Sequence, residues 1–169
     1  MSAKLILYQD VKAALQAISE IKNVLHYNGQ DLTNFEKDVS LQFPQVWVQL
    51  TSITWKPSEL KAYNQNKTQQ QKSDQAFITI YSATYSLRND NDTFENDLLL
   101  VDKIYRALAN LDGDCYGPLQ RLNEEDQPTN NNVRVWAQTY STMLTEAPIS
   151  EGLVDVSPVE LTINKIIIP

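Results

Sequence analysis

The chain has 169 residues, a net charge of −7, one cysteine, one histidine and only four glycines. That length suits one domain on the usual expectation of about 100–200 residues, with a core of its own. The lone cysteine excludes an internal disulfide and a Cys-rich zinc site, and the acidity argues against nonspecific binding to nucleic acid or anionic membranes.

The Leu5-Ile6-Leu7 run is too short for a signal peptide and meets acidic Asp10 at once. No window approaches the roughly 20 apolar residues of a membrane span. A soluble protein made in a reducing compartment is therefore expected.

In chain order, Val11, Ala14, Leu15, Ile18, Ile21 and Leu25 fall at helical spacing and predict an amphipathic helix over 10–25, with Asp10 as its N-cap. Whether Leu5-Ile6-Leu7 extends it backwards is left open. A polar turn follows at Asn28-Gly29, and the stretch to Gln42 is irregular. The Phe43-Pro44 pair then leads into a strand over 46–55, where Val46, Val48 and Leu50 alternate onto one face. Pro44 suits a strand start, since its missing N–H breaks no ladder there.

Residues 57–75 change character. The Asn64–Lys72 run has no apolar residue, and the stretch is the one locally basic region of an acidic chain. It is read as an exposed loop or arm. A second strand follows over 76–87, with Phe77, Tyr81, Tyr85 and Leu87 on one face and Ile78 and Ile80 on the other. Apolar surroundings are thus expected on both faces near its start.

The clearest helix covers 94–111. Asp92 and Glu95 have capping-box spacing, Phe94, Leu98, Val101, Ile104, Tyr105, Leu108 and Leu111 form its stripe, and Gly113 stops it. A short strand is expected at 119–122, a polar turn with Pro128 over 123–132, and a third long strand over 133–144. The tail carries one more β-like run at 159–168, whose Ile166-Ile167-Ile168 end is expected to be paired in a sheet or against a neighbouring subunit. The expected class is α+β, a mainly antiparallel sheet with two amphipathic helices packed on one face.

The residues offer little to catalysis. His26 has no second histidine or nearby cysteine, so it supports neither a His-based metal site nor a triad. Cys115 follows Asp112-Gly113-Asp114 after a helix C-terminus, where nearby acids oppose thiolate formation. Asp90, Asp92, Glu95 and Asp97 invite a calcium loop but place Phe94 and Glu95 where that motif needs a ligand and a glycine. Trp47, Trp55 and Trp136 could stack on bases, yet on strands such residues serve as core or interface anchors. No catalytic, cofactor-binding or metal-binding residue is nominated, and no cofactor is expected.

The succession of the 10–25 helix, Phe43-Pro44, the strands 46–55 and 77–87, the 94–111 helix, Gly117-Pro118-Leu119-Gln120-Arg121-Leu122 and the strand 133–144 resembles the tail-terminator and tail-completion (neck) proteins of tailed bacteriophages. The resemblance spans about residues 8–145. It implies a non-enzymatic structural virion protein that forms a homo-oligomeric ring, typically a hexamer, at the head-proximal end of the tail. Such a ring caps the tail tube and meets the head–tail connector. Its partners would be other copies, the tube or sheath protein and the connector, with no membrane or sequence-specific nucleic-acid contact. It would be assembled in the host cytoplasm and would reside in the virion neck.

On this reading residues 1–145 form the domain, with the exposed loop 57–75, and residues 146–169 form a C-terminal extension with a β-strand. The loop and the extension depart from the compact family pattern. Two other readings stand beside it. One is a small acidic inhibitor or immunity-type protein aimed at a basic partner. The other is an enzyme with a dispersed carboxylate site.

Overall fold

A computed structural model describes residues 2–29, 43–55, 73–85, 91–127 and 132–145. Within them lie two helices, α1 (Ala3–Gln16) and α2 (Asn91–Ala109), and five strands: β1 (Asn23–His26), β2 (Gln45–Trp55), β3 (Ser73–Tyr85), β4 (Gln120–Gln127) and β5 (Val133–Thr142). The strands form one sheet in the order β1-β2-β3-β5-β4. β1 runs parallel to β2, and the other three pairings are antiparallel. The expected α+β class is thus observed.

Strand pleating explains how the sheet is covered. Val46 and Val48 of β2, Ile78 and Ile80 of β3 and Tyr140 of β5 point to one side, where Leu7, Val11 and Leu15 of α1 and Leu100, Ile104 and Leu108 of α2 pack on them in one core cluster. Both helices therefore occupy one face. On the opposite side Trp47, Ala83, Val133 and Val135 form a second buried cluster, joined by Tyr27, Phe43 and Tyr81. Each face of the sheet is apolar at its centre, which accounts for the mixed apolar pattern along β3. On the helix-free side the hydroxyls of Thr51, Thr79 and Thr139 line up across β2, β3 and β5 at 3.0 and 3.3 Å.

The first helix departs from expectation. It starts at Ala3 and ends at Gln16, buries Ala3, Leu7, Val11 and Leu15 on one stripe, and leaves Asp10 in mid-helix. Residues 23–26, expected as its last turn, are β1. Parallel pairing with β2 overrides the helical period there, flanked by main-chain bonds from Lys22 N–H to the Pro44 carbonyl (2.9 Å) and from Tyr27 N–H to the Val48 carbonyl (3.0 Å). Burial follows the new period, with Val24 inside and Leu25 45% exposed.

Three other boundaries shift. α2 begins at Asn91, one residue before the expected cap Asp92. Its stripe is displaced, because Leu100 is buried whereas Phe94 and Leu98 are partly exposed flank residues. Residues 73–75, assigned to the exposed loop, open β3. Ser73 is buried, donates its N–H to the Leu144 carbonyl (2.8 Å) and accepts the Leu144 N–H on its hydroxyl (2.6 Å). Residues 123–127, expected in a turn, extend β4 and pair with β5 from Asn123↔Thr139 to Gln127↔Val135. The rest of the 57–75 loop, Leu87 and the 159–168 run lie outside the described residues.

Candidate functional site: an open sheet edge beside helix α2

The residues that carried the catalytic tests fall far from one another in role. His26 sits on the edge strand β1, its Nδ1 2.5 Å from Asn28 Oδ1 and its ring edge-on to Tyr8. Cys115 is half-buried in the turn after α2, where its carbonyl accepts the Thr145 N–H at 2.8 Å. Of the acids near the α2 start, Glu95 is exposed and Asp97 is buried against Arg134 at 3.2 Å. Asp90 and the Asp92 side chain lie outside what is described. Among the described residues no group of three or more His, Cys, Asp or Glu side chains converges as a metal ion needs. Trp47 is buried and presents no ring for base stacking.

The polar residues that do converge lie between α2 and the β5–β4 side of the sheet. The helix-facing row of β5 reads Arg134, Trp136, Gln138, Tyr140 and Thr142, because alternate residues share a face. Arg134 pairs with Asp97 and lies over the Phe94 ring, 5.0 Å from its centre. Burial pushes the Asp97 carboxyl above its ordinary range, against hydrogen bonds from Thr84 and Arg134 that pull it down. Further along, Gln138 donates through Nε2 to the Val101 carbonyl at 3.2 Å and to Glu124 of β4 at 3.0 Å. Arg121 closes the corner, 2.6 Å from Glu124 and stacked 4.0 Å over Tyr105.

This row also holds three buried polar atoms without a hydrogen-bond partner among the described residues: Trp136 Nε1, Gln138 Oε1 and the Tyr140 hydroxyl. Tyr140 is fully enclosed, and desolvation drives its hydroxyl pKa well above the ordinary 10.0, with Glu124 adding to the rise and Arg121 opposing it. A hydroxyl in that environment stays protonated and does no acid–base work near neutrality.

Beyond the network lies β4 itself. Its residues Gln120 to Asp126 are all exposed, and among the described residues it pairs with β5 alone, with its outer main-chain edge unpaired among them. It carries Glu124, Glu125 and Asp126 in succession. Leu122, at the register shift between Arg121 and Asn123, is 53% exposed, and Leu98 and Leu99 of α2 are also exposed. The arrangement is suited to contact: a strand edge unpaired among the described residues, three consecutive acids that alternate between its faces, and scattered apolar side chains.

Sequence reasoning missed the length of this edge. Seven polar residues and one leucine without alternation resemble a turn, and the available signal was negative: no glycine or proline interrupts 119–127. Residues 56–72, most of the basic loop, and the tail 146–169, whose apolar run was expected to pair in a sheet or against a neighbouring subunit, lie outside the described residues. No helix of the described residues is long and apolar enough to cross a membrane.

No family model matches the chain, and no curated protein does. Among solved structures, it is similar to a chain of the virion of a native gene transfer agent particle. That match has 13% identity and a TM-score of 0.44, and it covers 83% of this chain and 92% of that one. A likeness of that degree carries no inference about function.

Proposed function

We propose that this chain is a structural virion subunit of a tailed bacteriophage. Specifically, it is a tail terminator or tail-completion protein that forms a ring, caps the tail tube and joins it to the head connector. Two supports come from the chain itself. The order of its elements resembles that family, and the fold is the small α+β subunit that the resemblance implies.

The observation that carries the reading is the open edge of β4, eight residues long and exposed over Gln120 to Asp126. A ring needs a heterologous interface in which one surface of a subunit meets a different surface of the next. An unpaired edge strand offers such a surface, because added main-chain hydrogen bonds give affinity and the side chains set the partner. On this reading residues 1–145 are the ring-forming domain and 146–169 an extension that contacts neighbours. The partners are other copies, the tube or sheath protein and the connector. The chain catalyses nothing and resides in the virion neck after assembly in the host cytoplasm.

The test is removal and reconstitution. Phage lacking this chain are expected to make tails of unregulated length that do not join heads, and the purified protein added to tail tubes should cap them as rings visible by negative stain. Tails of normal length joined to heads in its absence would overturn the reading. So would a persistent monomer that ignores tubes and binds a basic enzyme tightly, which is the behaviour of an acidic inhibitor.

A further inference from the structure

We infer that β4 is the acceptor edge for a basic extended segment from a second copy of this chain, namely residues 60–72; this deepens the ring reading and rests on it. Three observations carry the assignment. The first is that β4 has main-chain groups to offer. Among the described residues it pairs on one side only, its side chains from Gln120 to Asp126 are exposed, and no proline removes a donor along it. An edge of that kind selects an extended peptide as its ligand.

The second is charge. Glu124, Glu125 and Asp126 follow one another, and the strand's one cation, Arg121, is already engaged by Glu124 and Tyr105. Among the described residues neither Glu125 nor Asp126 contacts a cation; Glu125 only accepts the Gln127 side-chain amide at 2.6 Å. Opposite charges facing each other across a strand pair stabilise it and like charges weaken it, so this edge favours a basic strand.

The third is supply. Residues 60–72 carry Lys61, Lys67 and Lys72, no acid and no proline, within a chain of net charge −7. Thirteen residues exceed the eight of β4, and the Asn/Gln/Thr side chains between the lysines suit a solvent-facing strand. Acceptor and donor are different surfaces of one chain, the requirement for a heterologous contact.

The experiment uses the full chain in sedimentation velocity across a concentration series, with circular dichroism as the fold control. Glu125→Lys with Asp126→Lys, and separately Lys61→Glu with Lys67→Glu and Lys72→Glu, should each weaken self-association by about tenfold or more, and raising salt should do the same. Glu124 is left intact because it holds Gln138 and Arg121. Combining the two charge reversals in one chain should restore association. In a second arm a synthetic peptide of residues 60–72 is titrated into the labelled protein, with amide shifts expected along β4 and lost in the Glu125→Lys, Asp126→Lys variant.

Rings that form unchanged in both reversal variants overturn the inference and leave the ring reading standing. A chain that stays monomeric in solution and forms no ring on tail tubes, yet binds the peptide along β4, upholds the acceptor edge and overturns the ring reading. Peptide shifts elsewhere, or none, overturn the acceptor edge.

Discussion

The Tyr116 hydroxyl donates to the Asp10 carboxylate at 2.8 Å and so ties the turn after α2 to the middle of α1, across 106 positions of sequence. Tyr116 is buried, its main chain exchanges two 3.2 Å hydrogen bonds with Gly113, and Asp10 is half-buried. Tyr116→Phe should therefore cost about 1.5–3 kcal/mol, the range for a hydrogen bond to a charged acceptor, read as a fall in the denaturation midpoint.

The same substitution at Tyr140 should act in the other direction. Its hydroxyl is buried without a partner, so Tyr140→Phe removes an unpaired polar atom and keeps the ring that fills the core under α2. Stability unchanged or raised by up to about 1 kcal/mol is expected. A loss comparable to that of Tyr116→Phe would show that the Tyr140 hydroxyl is satisfied in solution.

Both tyrosines bear on alkaline pH. Burial raises each hydroxyl pKa above the ordinary 10.0, and at Tyr116 the Asp10 hydrogen bond and the Asp10 and Asp112 charges raise it further. A folded pKa above the unfolded one means that above pH 10 the unfolded chain has released protons the native state still holds. Their contribution is complete below pH 10 and is lost as pH rises towards the folded values. The melting temperature should fall steeply above pH 10, less so in Tyr116→Phe, and ultraviolet titration should find tyrosines that ionise only on unfolding.

Gly113 is fixed by space. A Cβ there would stand 2.7 Å from Cε1 of the Tyr116 ring. That ring cannot swing aside without losing Asp10, so Gly113→Ala should cost about 1–3 kcal/mol as an overpacked site. The penalty should shrink when Tyr116→Phe frees the ring, which a double-mutant cycle would measure.

Arg134 shields a buried charge. Arg134→Met leaves the Asp97 carboxylate enclosed without its cation, and a loss of about 2–4 kcal/mol at neutral pH is expected. Because burial already raises the Asp97 pKa, the deficit should shrink as pH falls and the carboxyl protonates. Adding Asp97→Asn should return most of the loss, as chemical denaturation would show.

What the sequence made legible follows what its side chains do. β2, β3 and β5 were readable because β-branched and aromatic residues meet apolar surroundings on both faces, and α2 because its burial repeats every turn. β1 was misread because Ile18, Ile21 and Leu25 continue a helical spacing that only pairing with Val46 and Trp47 overrides. The start of β4 was expected as a short strand over 119–122, but residues 123–127 were misread for the opposite reason: main-chain pairing with β5 holds them, and their exposed side chains record nothing of that. The length of the candidate edge was hidden by the same fact. The Asp10 cap was lost with the helix start, yet Asp10 proved to be a tether whose partner no local pattern could name.

The two helices differ in how firmly they are indexed to the sheet. α2 is keyed at three levels, by Asp97 on Arg134, by the Val101 carbonyl on Gln138 and by Tyr105 under Arg121. Sliding it by one turn, about 5.4 Å, would break all three together. α1 rests on aliphatic side chains, with Tyr116 holding Asp10 and Lys103 holding Glu20 just beyond its end. Apolar surfaces tolerate a small shear that keyed polar pairs forbid. Of the two helices, α2 is therefore the one whose register on the sheet is fixed by polar pairs as well as by packing.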